Sequence, residues 1–215
     1  MDHLGMGRSD KPTEITSYSY LGHYERLMGF IEQLDLRDIH LFVQDWGSLI
    51  GLRAVGLHPD RFAKVAVGNG TLPVVPADVQ PYPVVENPNE ITDGPSLFGS
   101  ASDQQVPTNE TCESPDAPLN TNFPVWMEYA MKARAFHASE VLEAMTWFPL
   151  SEEEEEAYDA PFPSRTYMAG ARVFPSLVNE LSGVNTEASA GLYAFEKPFI
   201  TIWGGNDGGG LGRCS

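Results

Sequence analysis

Basic residues are scarce in this sequence, and the shortage is concentrated in one segment. Residues 72–196 contain 20 of the 30 acidic residues but only four of the 13 lysines and arginines, so they carry −16 of the net charge of −17. A surface this acidic repels the phosphates of nucleic acids and of anionic lipids. We therefore expect no nucleic-acid partner and no membrane partner. The charge suits a neutral or cationic small molecule, or it only keeps the protein soluble.

Cysteine is also scarce, and long apolar runs are lacking. The two cysteines, Cys112 and Cys214, lie far apart and without the spacing of metal ligands, which excludes a disulfide framework and favours a reducing compartment. No apolar run approaches the ~20 residues of a membrane-spanning helix. Residues 1–5 lack the basic and apolar regions of a signal peptide. We expect a cytoplasmic protein that uses no metal and no cofactor.

Strand and helix signals alternate over the first 70 residues. The elements predicted there are a helix over 18–34, a buried strand over 38–43, a helix over 46–57 and a buried strand over 64–67. A third buried strand is predicted near the end of the chain, over 197–203. The helix ends at His58 and Pro59, because proline disfavours helical geometry in the residue before it. A strand, a helix and a second strand joined by short connections form the βαβ unit of a parallel sheet. The fold class predicted from this pattern is α/β.

The middle of the chain has a different pattern. Nine prolines lie between residues 73 and 118, so this stretch is predicted to be an extended excursion. Helical patterning returns over residues 125–145. Ser151, followed three residues later by Glu154, predicts a capped helix start rather than a metal-binding glutamate cluster. The predicted organisation is a core over residues 1–71, a cap domain with a proline-rich entry over 72–196, and a second part of the core over 197–215.

The turn after the first predicted strand carries the most reactive side chain. Residues 43–47 read Val-Gln-Asp-Trp-Gly and place Asp45 where a strand turns abruptly into a helix. A nucleophile elbow has this arrangement, and its strained turn exposes the reactive side chain at the carboxyl end of the sheet. Gly51, one turn later, would let the helix approach the strand closely. A carboxylate is ionised at neutral pH and attacks a saturated carbon without a base. The alternative is that Asp45 only caps the helix.

The elbow and several other segments resemble the haloalkane dehalogenases of the α/β-hydrolase fold. The similar segments are residues 4–12, 30–36, 44–47, 58–62, 147–150, 157–163, 170–175 and 197–199, together with Asp207. Epoxide hydrolases share the Asp-Trp-Gly of the elbow, so the elbow together with Trp147 is more specific than the elbow alone. The resemblance implies an α/β-hydrolase core, which is a parallel sheet flanked by helices and incomplete in this chain, with a helical cap domain.

The resemblance also implies the roles of four residues. Asp45 would attack the carbon that bears the halogen and form an alkyl-enzyme ester. Trp46 and Trp147 would direct their indole N–H groups at the departing halide, because an indole only donates and two indoles in an apolar pocket favour a weakly hydrated anion. Asp207 matches the family's charge-orienting acid. The implied partners are a halogenated alkane and water, with halide ion as product. The simpler alternatives are a buried aromatic for Trp147 and a turn residue for Asp207.

A histidine base is missing from the expected place. In the family it follows the acid after one more strand, whereas here eight residues follow Asp207 and none is a histidine. The five histidines are predicted to have surface or packing roles: His3, His23, His40, His58 and His137. The strands and the oxyanion loop that open the family's fold are also lacking, which predicts an exposed hydrophobic sheet edge. We therefore expect a fragment in which Asp45 is alkylated once and the ester then persists.

Two other functions compete with this prediction. An epoxide hydrolase of the same fold would need two tyrosines from the cap to protonate the epoxide oxygen, and Tyr129, Tyr158 and Tyr167 are available. Gln44 before the nucleophile and Trp147 favour the dehalogenase. A non-catalytic fragment without turnover is the other alternative, and the missing base supports it.

Overall fold

The computed structural model describes residues 1–92, 123–145 and 148–204. The chain divides into two compact units. The helical unit comprises residues 1–18 and 83–176, and the elbow unit comprises residues 19–82 and 177–215. The assignment of residues 72–196 to a cap domain stays a prediction.

The described residues form seven α-helices and three β-strands. In chain order these are α1 (Tyr20–Gln33), β1 (Ile39–Gln44), α2 (Trp46–Leu57), β2 (Phe62–Gly68), α3 (Phe123–Lys132), α4 (Ala138–Met145), α5 (Glu152–Asp159), α6 (Ala169–Val173), α7 (Thr186–Tyr193) and β3 (Phe199–Ile202). Short 3-10 helices lie between several of them. The predicted alternation of strands and helices is confirmed, and the helix predicted over residues 46–57 coincides with α2.

The three strands form one parallel sheet in the order β1-β2-β3. Val43 of β1 pairs with Val67 of β2, which in turn pairs with Thr201 of β3. Since neighbouring parallel strands run in the same direction, the segments that follow β1, β2 and β3 lie together at the carboxyl end of the sheet. Asp45, the predicted nucleophile, lies at this end.

The core of the elbow unit lies between the sheet and its helices. Its buried members are Met28, Ile31, Val43, Leu52, Ala54, Val55, Phe62, Val65 and Val67, contributed by α1, α2, β1 and β2. A β-carbon added at Gly51 would lie 2.6 Å from Cγ1 of Val43. The predicted close approach of α2 to β1 at Gly51 is therefore confirmed. This close packing holds the first half of α2 against β1, the strand that ends at the elbow.

The expectation that all three strands are buried is wrong for β1 and β3. The central strand β2 is largely buried, but Phe42 in β1 is 68% exposed and Ile200 in β3 is 56% exposed. The helices of the elbow unit cover one face of the sheet, and no described element of this unit covers the other. A half-covered parallel sheet departs from the usual arrangement, in which helices cover both faces. The side chains of Phe42 and Ile200 therefore leave apolar surface exposed on this face.

The helical unit has a small core of its own. Ala130, Phe136 and Met168 are buried in it, and Trp126 and Tyr129 pack against them. The helix predicted over residues 125–145 is interrupted and forms α3 and α4. Helix α3 and the segment after it bring the rings of Trp126, Tyr129 and Phe136 into contact with one another.

Two charged groups organise the helical unit. The guanidinium group of Arg172 donates to the carbonyl oxygens of Met131 and Ala133 at 2.9 and 2.6 Å, and burial lowers the pKa of Arg172 to about 10. The predicted capping box of α5 is confirmed: the Glu154 N–H donates to Ser151 Oγ, and the Ser151 N–H donates to the Glu154 carboxylate. The glutamate run is thus the first turn of a helix.

Candidate active site at the carboxyl end of the sheet

Asp45 lies in the turn between β1 and α2, with a backbone conformation that is rare for a residue with a side chain. Its φ is +48° and its ψ is −125°. A non-glycine residue in such a region costs on the order of 1–3 kcal/mol and persists only where the surroundings impose it. The Asp45 side chain is exposed and makes no capping hydrogen bond to α2. The capping interpretation therefore does not explain this residue, whereas the elbow interpretation does.

Hydrogen bonds from both sides hold the strained turn. The Asp45 N–H donates to the carbonyl oxygen of Asn69 at 3.3 Å, and the Ser48 N–H donates to the carbonyl oxygen of Asp45 at 2.8 Å. The hydroxyl of Ser48 lies 2.5 Å from the same Asp45 oxygen and accepts the N–H of Thr71 at 2.8 Å. Ser48 is fully buried, and a β-carbon at Gly70 would collide with its hydroxyl. The elbow is thus tied to the segment that follows β2.

Replacing Ser48 with alanine is expected to destabilise the elbow unit by roughly 1–3 kcal/mol, because the Asp45 carbonyl oxygen and the Thr71 N–H would both lose their bonds to a fully buried hydroxyl. Urea denaturation monitored by circular dichroism measures this change. Ser182→Ala is the matched control, since the Ser182 hydroxyl also donates to a backbone carbonyl, that of Val79, but at an exposed site. Equal losses in the two variants would contradict the role assigned to burial at Ser48.

Asn69, directly after β2, joins the ends of all three strands. Its carbonyl oxygen accepts the Asp45 N–H after β1, and its N–H donates to the carbonyl oxygen of Ile202 in β3 at 2.9 Å. Its side-chain oxygen Oδ1 accepts the N–H of Gly204 at 2.9 Å. The φ of Asn69 is +39°, a value that asparagine tolerates better than most residues. No role for Asn69 was predicted from the sequence, although the Gly-Asn-Gly at residues 68–70 indicates a tight turn after a strand.

Trp46 is the first residue of α2 and stands beside the candidate nucleophile. Its ring is half-buried and lies 6.5 Å from the ring of Tyr20 at an angle of 57°. The Tyr20 hydroxyl is within hydrogen-bond distance of the carbonyl oxygen of Leu49 at 2.8 Å and of Asn185 Oδ1 at 2.9 Å. Burial raises the pKa of Tyr20 to about 12, so this hydroxyl stays neutral and anchored at physiological pH. Trp46 is therefore supported by a fully buried aromatic ring.

The other two predicted site residues, Trp147 and Asp207, lie outside the described residues. The pairing of Trp46 with Trp147 as halide donors and the orienting role of Asp207 both stay predictions.

The three histidines of the elbow unit have packing or peripheral positions. His23 is fully buried in α1. His40 lies in the first half of β1, toward the end of the strand opposite Asp45. His58 follows α2, at the far end of that helix, and its Nε2 lies 3.0 Å from the Tyr24 hydroxyl.

The tyrosines considered for epoxide opening are in the helical unit. Tyr158 and Tyr167 are 46% and 45% exposed, and Tyr129 packs against Trp126 and Phe136. In the described ranges no group of three metal-ligating side chains is present. Over the same ranges, none of the helices combines the length and the apolar character needed to cross a membrane.

A protein family and several known proteins are similar in sequence to this chain. The family described as the alpha/beta hydrolase fold matches residues 1–98. Haloalkane dehalogenase 1 of Mycobacterium bovis is 36% identical over 211 residues, which are 96% of this chain and 57% of that protein. The haloalkane dehalogenase of Psychrobacter cryohalolentis is 35% identical over 96% of this chain and 56% of its own length. The chain thus spans a little over half the length of these relatives.

Solved structures show the same fold. A tetrameric haloalkane dehalogenase from Paraglaciecola agarilytica superposes with a TM-score of 0.62 at 24% identity, covering 93% of this chain and 55% of that one. A loop variant of the Bradyrhizobium elkanii haloalkane dehalogenase gives a TM-score of 0.62 at 20% identity, covering 96% and 63%. The predicted fold class, α/β with a parallel sheet flanked by helices as in the α/β hydrolases, is confirmed, as is the resemblance noted in the sequence.

Proposed function

This chain is a relative of the haloalkane dehalogenases and has the α/β-hydrolase fold, and from that premise we propose that Asp45 cleaves carbon–halogen bonds. A carboxylate oxygen of Asp45 attacks the carbon, the carbon–halogen bond breaks, and the halide leaves with the bonding electrons. The product is an alkyl ester of Asp45, and no proton is transferred in this step. The substrate is a halogenated alkane, and water is the second reactant.

The observation that carries this proposal is the strained, exposed turn at Asp45. The positive φ of Asp45 costs free energy, and its side chain does not cap α2. A carboxylate held at the carboxyl end of a parallel sheet, where such folds bind their ligands, is placed to react with a bound substrate.

The alkyl ester of Asp45 is the species that the proposed first step predicts. Hydrolysis of the ester needs a base that activates water, and the described histidines of the elbow unit have packing or peripheral positions. We therefore expect the ester to accumulate. Incubation with a bromoalkane, followed by proteolysis and mass spectrometry, should reveal one alkyl group on the peptide that contains Asp45. Continuous release of bromide would contradict the accumulation, and absence of any adduct would favour a non-catalytic fragment.

Halide binding by Trp46 gives a separate test. We expect iodide to quench part of the tryptophan fluorescence with saturation, and Trp46→Phe to raise the half-saturating concentration about tenfold through loss of one charge-assisted hydrogen bond. Trp126→Phe is the control, because Trp126 packs in the core of the helical unit. Only linear, collisional quenching in the wild type would argue against a halide site and leave the epoxide hydrolase as the better candidate.

We also propose a cytoplasmic location, on the basis of the two widely spaced cysteines. The acidic surface supports the further proposal that nucleic acid is not a partner.

A further inference from the structure

We propose that Asn69 is a positioning residue for Asp45, which it holds in the elbow conformation by anchoring the turn to the end of β3. This inference rests on the proposed nucleophilic role of Asp45. It begins from the backbone: Asp45 and Asn69 follow adjacent strands, both have positive φ, and a hydrogen bond joins them. The conformation of Asp45 costs free energy, so its turn is expected to depend on this bond to Asn69.

The side chain of Asn69 provides the anchor. Its Oδ1 accepts the N–H of Gly204, and its backbone N–H donates to the carbonyl oxygen of Ile202, the last residue of β3. These two bonds hold Asn69 from the side opposite to Asp45. Without the side-chain bond, one of the two links to β3 is lost, and the carbonyl oxygen that receives the Asp45 N–H is less firmly placed. The effect on Asp45 is therefore indirect and passes through the backbone of Asn69.

Different groups hold the two peptide groups that flank the α-carbon of Asp45. The N–H and the hydroxyl of Ser48 hold the Asp45 carbonyl oxygen, whereas the Asp45 N–H is held by Asn69. The direction of the Asp45 carboxylate depends on both peptide groups that flank its α-carbon. Displacement of a reacting group by about 1 Å is enough to slow a reaction by up to ~100-fold. A positioning residue is thus expected to change the rate of attack more than the affinity for the substrate.

Two substitutions at Asn69 separate its side chain from its backbone conformation. Asn69→Gly keeps the positive φ without strain and removes Oδ1, whereas Asn69→Asp keeps an oxygen that can accept the Gly204 N–H. Asn87→Gly is the matched control, because Asn87 also has a positive φ, of +49°, but belongs to the helical unit. All three variants are compared with the wild type at equal folded fraction, measured by urea denaturation.

The first measurement is the rate of Asp45 alkylation as a function of bromoalkane concentration. We expect Asn69→Gly to lower the saturating rate roughly tenfold with little change in the half-saturating concentration, Asn69→Asp to restore most of the rate, and Asn87→Gly to change neither. A wild-type rate in Asn69→Gly would overturn the proposal. So would a loss in Asn69→Gly that Asn69→Asp does not rescue.

The second measurement does not depend on the reaction. Amide hydrogen exchange in Asn69→Gly should accelerate about fivefold or more at Asp45 as well as at Gly204, although the variant keeps the carbonyl group that binds the Asp45 N–H. Faster exchange at Gly204 alone would overturn the proposal. If the wild type forms no adduct, the proposed function fails, and this exchange pattern still decides whether Asn69 holds the elbow.

Discussion

Asp45→Asn is expected to reduce the rate of covalent adduct formation with a bromoalkane by roughly 10³-fold or more, because a neutral amide replaces the attacking carboxylate. Asparagine has nearly the same shape as aspartate and tolerates positive φ, so the elbow backbone should keep its conformation. The loss would therefore report on the nucleophile and not on the fold. Intact-protein mass spectrometry during incubation measures the rate directly.

Asp38→Asn is the matched control for this substitution. Asp38 is also an exposed aspartate with positive φ, of +51°, but it precedes β1 and so lies at the other end of the strand. It should form the adduct at the wild-type rate. An adduct that persists in Asp45→Asn and disappears in any other variant would place the nucleophile elsewhere.

Gly56→Ala is expected to destabilise the elbow unit by about 3 kcal/mol, at the upper end of the usual cost of overpacking. Gly56 lies near the end of α2, where this helix contacts α7. A β-carbon there would overlap the carbonyl oxygen of Ala188 and lie 2.7 Å from its carbonyl carbon. The contact is reciprocal, since a β-carbon on Gly191 of α7 would overlap the carbonyl oxygen of Gly56. Backbone atoms cannot rotate away as side chains do, so the two helices would have to separate.

The midpoint of urea denaturation, followed by circular dichroism, measures this loss. Gly29→Ala is the control, because Gly29 lies within α1 and a β-carbon there meets no atom within 4 Å. That substitution should stabilise the protein by roughly 0.5–1 kcal/mol, since alanine favours the helix. A Gly56→Ala variant as stable as the wild type would show that α2 and α7 do not approach as closely as the structure places them.

The local chemistry of the elbow was predictable from the sequence. A short apolar strand, an aspartate and an apolar helix with a glycine in its first turn follow one another in the chain, so their order alone indicates a strand-to-helix turn with Asp45 at its apex. The capping box at Ser151 is equally local, because its two hydrogen bonds join residues three positions apart. The close approach at Gly51 was predictable for the same reason. Gly51 lies one helical turn after Gly47, and the strand it approaches, β1, ends just before this helix.

Features that join distant parts of the chain were not predictable in this way. Phe42 and Ile200 look like core residues by composition, yet they are exposed because β1 and β3 are the outer strands of a half-covered sheet. Nothing local to Gly56 indicates that Ala188, far along the chain, occupies the space of its missing side chain.

The sequence by itself determined the identity of the proposed nucleophile, the order of the strands and helices, and the resemblance that gives them a function, because each of these is encoded in short, contiguous patterns. Only the tertiary structure decided what holds Asp45 in place. Asn69 reaches Asp45 across one strand pairing and Gly204 across another. Such bonds depend on strand order and register, which arise when the whole sheet assembles and not from the residues beside each strand.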